Sequence, residues 1–133
     1  MYTNKSSDLI KARKLFAAKF SKHVLFNEPL SRHLAYRIGG PADILVFPEN
    51  ELDLAWIAKN AHALGLPITI VGAGTNLLVL DHGIRGITIS LTCAFREIGY
   101  TKTTHPGRPE AKWVRAGSGV LKPDLLQWAI SEG

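Results

Sequence analysis

Residues 43–77 read DILVFPENELDLAWIAKNAHALGLPITIVGAGTNL, and their reading decides the fold. Asp43 to Phe47 is a short apolar run closed by Pro48, which predicts a buried strand. Asn50 is a good helix N-cap, and Asp53 stands three residues on, close to a capping box. Leu54, Ile57, Ala58, Ala61 and Leu64 then recur at helical spacing, and Gly65 falls where a C-terminal cap glycine belongs. Pro67 leads into Ile68 to Val71, rich in β-branched residues. Strand, helix and strand with short connections predict a parallel βαβ unit joined by a right-handed crossover. Ligands of such units sit beyond the carboxyl ends of the strands. At that place the chain reads Val71-Gly72-Ala73-Gly74-Thr75-Asn76-Leu77.

Two glycines leave backbone N–H groups bare, and positive φ lets successive N–H groups turn toward one anion. Thr75 and Asn76 add a hydroxyl and an amide, so the stretch suits a phosphate or diphosphate. It is neither of two familiar phosphate loops. The dinucleotide fingerprint needs a third glycine where Leu77 stands, and the Gly-Lys-Ser/Thr ending of the P-loop is absent. Taken alone, the stretch also reads as a plain tight turn.

Outward from this unit, Ser7 or Asp8 can cap a first helix running to about His23, with Leu9, Ala12, Leu15, Phe16, Ala17 and Phe20 at helical spacing. Residues 27–42, NEPLSRHLAYRIGGPA, carry two prolines and a Gly-Gly pair and read as loop. On the other side, DHGIRG (81–86) is a turn and ITISL (87–91) a strand, which Ala94 to Tyr100 would extend. Thr101 to Ala111 reads as an exposed hairpin loop. Lys112 to Ala116 reads as a strand, Gly117-Ser118-Gly119 as a turn, and Pro123 to Glu132 as a helix with proline near its first turn.

The composition is globular: 133 residues, 46% hydrophobic and 20% charged. No apolar run reaches the ~20 residues of a membrane span, and the polar start lacks signal-peptide character. Cys93 is the only cysteine, so no internal disulfide forms, which fits a reducing cytoplasm. It reads as a small core-side residue. The net charge is +5, and its densest cluster, Lys11, Arg13, Lys14, Lys19 and Lys22, reads as a solvated helix face rather than a nucleic-acid patch. His23, His33, His62, His82 and His105 lack metal-ligand spacing. Trp56 and Trp128 read as packing residues, and Asp81 as a holder of loop shape.

Several pieces in order resemble the N-terminal flavin-binding region of the UDP-N-acetylenolpyruvoylglucosamine reductases. They are Ile38-Gly39-Gly40-Pro41-Ala42-Asp43, Pro48 before a helix, Leu66-Pro67 into a strand, and Val71 to Val79. Asp81, Gly83, Gly86 and Ile87 follow. The likeness covers about residues 34 to 91 well, and residues 112 to 133 look like the next strand and helix. It implies an α+β fold, the vanillyl-alcohol-oxidase type of FAD-binding domain. A small parallel βαβ subdomain would be followed by the start of a second subdomain. The boundaries are an N-terminal helical segment 1–26, a first FAD-binding subdomain 27–91 and the start of the second at 92–133. The chain stops at Gly133 just past a helix, so the expectation is a fragment of a longer enzyme.

By the same resemblance, Gly72 to Asn76, flanked by Val71 and Leu77, would hold the FAD diphosphate, with Thr75 in place of the usual serine. Tyr36, Arg37, Gly39 and Gly40 would lie near the cofactor, and Gly117, Ser118 and Gly119 would pass near the flavin. In the family, NADPH reduces FAD, which passes hydride to the enolpyruvyl group of a UDP-sugar in peptidoglycan precursor synthesis. The family's catalytic serine, arginine and glutamate lie downstream of the matched region, so no catalytic residue is assigned; the isolated chain is expected to be inactive and to bind FAD weakly or not at all, because half the cofactor cleft would be absent. Cytoplasmic location is expected, with no metal, nucleic acid or membrane partner. Gly74→Val is expected to abolish flavin retention and leave the fold largely intact. A non-catalytic nucleotide- or phosphate-binding module is the alternative reading.

Overall fold

In a computed structural model, residues 6–133 are described, without the side chains of 102–105, 109 and 110; His105 as a side chain therefore lies outside the described residues. The chain order is α1 (Ser6–Phe20), β1 (Val24–Pro29), β2 (Pro41–Val46), α2 (Glu51–Ala63), β3 (Ile68–Val71), β4 (Ile84–Ser90), β5 (Ile98–His105), β6 (Arg108–Ala116) and α3 (Lys122–Ser131). The first four strands form one sheet in the order β1-β2-β4-β3, and β5 and β6 form a separate two-stranded sheet. β2 and β3 both run parallel to β4, and β1 runs antiparallel to β2. The strand–helix–strand unit read from residues 43–71 is present. Its two strands are not neighbours, however: β4 fills the place between them, pairing Leu45 with Thr88 on one side and Thr69 with Thr88 on the other.

Alternation along the strands gives the sheet two apolar faces. Ile44 and Val46 of β2 and Ile87 and Ile89 of β4 pack with Phe16 and Phe20 of α1 and Ile57 and Ala61 of α2. Trp56 is edge-on to both phenylalanines, with ring centroids 5.2 Å from Phe16 and 5.4 Å from Phe20. Leu45 joins the second cluster, with Leu30, Leu34, Ala42, Val71 and Val79. Burying each such side chain fully contributes about 1.5–3 kcal/mol. No buried apolar side chain lies beyond Ala94 among the described residues, so the core belongs to residues 12–94.

The start of α2 is held reciprocally. Asn50 Oδ1 accepts from the Asp53 N–H at 2.9 Å, and Asp53 Oδ2 accepts from the Glu49 N–H at 3.1 Å. Lys19 of α1 reaches the same Asp53 carboxylate at 3.3 Å, tying the two helices together. Ala58 is exposed, so the buried stripe of α2 is narrower than its spacing suggests: Asp53, Ile57 and Ala61.

Four expectations are corrected. Asn27–Pro29 are not loop but the end of β1, an edge strand, which tolerates Pro29 and the left-handed Asn27 (φ 52°). Ala94–Tyr100 do not extend β4; the chain turns through a left-handed Phe95 (φ 57°) and starts β5 in the other sheet. Thr101–Ala111 are mostly strand, with the turn confined to Pro106-Gly107. Cys93 is exposed in the turn between the sheets rather than packed in a core. Trp128 does pack, its ring centroid 5.2 Å from that of Tyr100, yet no residue of α3 is fully buried.

Candidate nucleotide-binding site

Beyond the carboxyl end of β3 the chain leaves the sheet as an open bend. Among the described residues, no acceptor takes a hydrogen bond from the backbone N–H groups of Gly72 to Asn76. A hollow of about 270 Å³ stands against them, lined by Ile70 to Leu77. A Cβ placed on Gly72 would meet nothing within 4 Å, so this glycine faces open space. Gly72, Ala73, Thr75 and Asn76 are exposed, while Val71 is buried and Leu77 half-buried against the second apolar cluster.

Gly74 is different. Its φ is +67°, and an added Cβ would lie 2.6 Å from Leu34 Cδ2 and 3.1 Å from Leu34 Cα. Its carbonyl accepts from the Ala35 N–H at 3.3 Å. The expectation that Gly74→Val leaves the fold largely intact is therefore corrected, since the valine would enter both a left-handed backbone and a buried leucine. Gly72 is the position where bulk would enter the hollow and little else.

A larger cavity, about 590 Å³, adjoins the loop and is lined by Ala73, Thr75, Asn76, Val120, Leu121, Lys122 and Pro123. One wall is the polar side of the loop; the other is the apolar start of α3, with the Lys122 ammonium as a cation. Residues 120–123 were not among the expected site residues, and only the proline near the helix start gave a signal there. Gly117 and Ser118 line a different hollow of about 450 Å³, with Glu49, Asn50, Glu51, Phe95, Glu97 and Arg115. Gly117 and Gly119 are crowded by the chain itself: their N–H groups bond the carbonyls of Glu97 (2.8 Å) and Phe95 (2.9 Å).

Tyr36, Arg37 and Ile38 project outward, Arg37 in the left-handed region (φ 53°). Gly39 and Gly40 make their close approach to protein. The Gly40 N–H bonds the Leu80 carbonyl at 3.1 Å, and a Cβ there would lie 2.0 Å from the Asp81 carbonyl oxygen. Asp81 thus crowds Gly40 through its main chain. Asp43, buried at the start of β2, accepts from the Gly86 N–H at 2.9 Å and pairs with Arg85 at 2.7 Å. Among the described residues no His, Cys, Asp and Glu grouping could hold a metal ion, and no helix is long and apolar enough to cross a membrane.

A mixed sheet with parallel strands, an unconsumed row of amides at a strand's carboxyl end and an adjoining amphipathic cavity define a nucleotide-binding class of domain. The chain belongs to the FAD binding domain family, whose model matches residues 42–133. Among individual proteins it is similar to UDP-N-acetylenolpyruvoylglucosamine reductases. One from Moorella thermoacetica is 42% identical over 110 residues, covering 83% of this chain and 33% of the relative. One from Heliobacterium modesticaldum is 39% identical over 106 residues, 80% of this chain and 31% of the relative. One from Geotalea uraniireducens is 33% identical over 123 residues, 91% and 37%. The chain thus spans about a third of the length of the curated relatives it matches.

Proposed function

We propose that this chain is the FAD-binding part of an NADPH-dependent reductase that converts UDP-N-acetylglucosamine enolpyruvate to UDP-N-acetylmuramate. The observation that carries the proposal is the row of uncommitted N–H groups from Gly72 to Asn76 facing a hollow. A diphosphate supplies the acceptor oxygens these donors lack, and charge-assisted bonds of this kind are about twice as strong as neutral ones. Thr75 and Asn76 stand beside both cavities and fit the same anion. Val120, Leu121 and Pro123 offer apolar surface for an aromatic ring of the cofactor, and Lys122 offers charge. When bound, FAD would supply the hydride chemistry; the residues here bind and orient it.

The proposal follows the vanillyl-alcohol-oxidase arrangement, with residues 27–91 and 92–133 as the two flanks of the cofactor. Gly39, Gly40, Gly117 and Gly119 act in it by letting backbone pack closely behind the site, and Tyr36, Arg37 and Ser118 border it. No residue of this chain is assigned a catalytic role. NADPH and the UDP-sugar are the proposed co-substrates, and the cytoplasm the proposed compartment.

The test is a titration of the chain with FAD, read by quenching of flavin fluorescence. Binding should weaken as salt rises, because the diphosphate is charged. Gly72→Val should weaken it at least tenfold with the thermal midpoint unchanged. Equal affinity in wild type and Gly72→Val would mean that the loop is only a turn.

A further inference from the structure

From the packing beneath the loop we infer that Leu34 is a positioning residue, which locks the Gly72–Asn76 loop and the Gly39–Gly40 segment into one register. The inference rests on the proposed cofactor reading of these two segments and deepens it. Leu34 is 4% exposed and belongs to the cluster of Leu30, Leu45, Val71 and Val79. It stands between two glycines. Its Cδ2 lies 2.6 Å from where a Gly74 Cβ would be, and its Cδ1 lies 3.4 Å from where a Gly39 Cβ would be. Both glycines have positive φ, +67° and +139°, so each backbone bends around the same side chain.

The main chain repeats the link. The Ala35 N–H bonds the Gly74 carbonyl at 3.3 Å. The N–H groups of Leu30 and Ser31 bond the carbonyls of Gly40 (3.1 Å) and Gly39 (3.3 Å). Residues 30–35 are therefore a strap hydrogen-bonded to one loop at its start and to the other at its end. The strap is fixed to β1: Glu28 accepts from His33 at 3.0 Å and pairs with Arg32 at 3.6 Å. A leucine-sized side chain thus sets the separation of the two segments, and with it the direction of the loop amides.

The experiment is backbone ¹⁵N relaxation on the full chain, followed by FAD titration. The variants are wild type, Leu34→Ala, Leu34→Met and the control Ile57→Ala, which empties a fully buried site on the other face of the sheet. In Leu34→Ala the order parameters at Gly39, Gly40, Gly72 and Gly74 should fall together, from about 0.85 toward 0.6. Leu34→Met should hold them, and Ile57→Ala should leave them unmoved. The FAD dissociation constant should rise at least tenfold in Leu34→Ala and stay within threefold in Leu34→Met. Should Leu34→Ala not fold, Leu34→Val carries the test, with the same paired loosening to a lesser degree.

The inference is overturned if both segments stay ordered without Leu34. It is also overturned if only one loosens, if Ile57→Ala loosens them equally, or if FAD affinity is indifferent to Leu34→Ala. A wild-type chain that binds no FAD, with the paired loosening still seen, would sink the cofactor reading and leave the mechanical link standing.

Discussion

Gly72 and Gly74 are two residues apart, and they do opposite work. Gly72 has nothing within 4 Å of a would-be Cβ, whereas Gly74 holds a left-handed turn pressed on Leu34. Gly72→Ala should therefore shift stability by no more than about 0.5 kcal/mol. Gly74→Ala adds a left-handed strain of about 1 kcal/mol and an overpacking cost of about 1–3 kcal/mol. Paired urea melts of the two variants check this; equal loss would mean that Leu34 yields freely. Sequence spacing alone made both glycines candidates for bare amides. The partner that separates them, Leu34, lies 40 residues away in the chain, beyond the reach of any local pattern. Distant residues also meet Gly39 and Gly40: Val79 Cβ lies 3.1 Å from where a Gly39 Cβ would be, and the Asp81 carbonyl oxygen 2.0 Å from where a Gly40 Cβ would be.

α2 was legible almost to its last residue, because its cap, its apolar spacing and its terminal glycine are all local signals. β1 was not. Its residues carry a proline and a polar pair, and only pairing with β2 makes them strand. The hairpin loop shrank to Pro106-Gly107 for a related reason: its residues show no apolar alternation, and only the pairing of β5 with β6 marks them as strand. The insertion of β4 between β2 and β3 brings Gly86 to Asp43, where the buried carboxylate accepts its N–H. Asp43→Ala should leave that buried donor unmet and lower stability by about 2–3 kcal/mol. The Arg85 pair adds little to this, because the arginine side chain is half exposed. Thermal unfolding should show a midpoint about 10 °C lower; a drop under about 2 °C would mean that water replaces the carboxylate.

The two sheets are unequal partners. Buried apolar side chains run from Ala12 to Ala94 among the described residues, while α3 buries none. Amides of β5, β6 and α3 should accordingly exchange with deuterium well before those of β2 and β4, which are expected to need global unfolding. Uniform protection across both sheets would contradict this. One group in the smaller part has a shifted titration: the Tyr100 phenol is held above its ordinary range, first by loss of solvent and then by the charge and hydrogen bond of Glu132. A raised folded value means that this contribution is whole below about pH 10 and fades as pH climbs through the folded value. Phenolate absorbance, wild type minus Tyr100→Phe, should place the midpoint above that of free tyrosine, and Glu132→Gln should bring it down. A midpoint at the free value would remove the Glu132 contact.

Cys93, the chain's only thiol, sits exposed in the turn where the backbone crosses once from the larger sheet to the hairpin. A single maleimide dye there would label the junction of the two sheets without any engineered cysteine. Its anisotropy would then report, in unmodified sequence, whether adding FAD changes the motion of the dye at that junction.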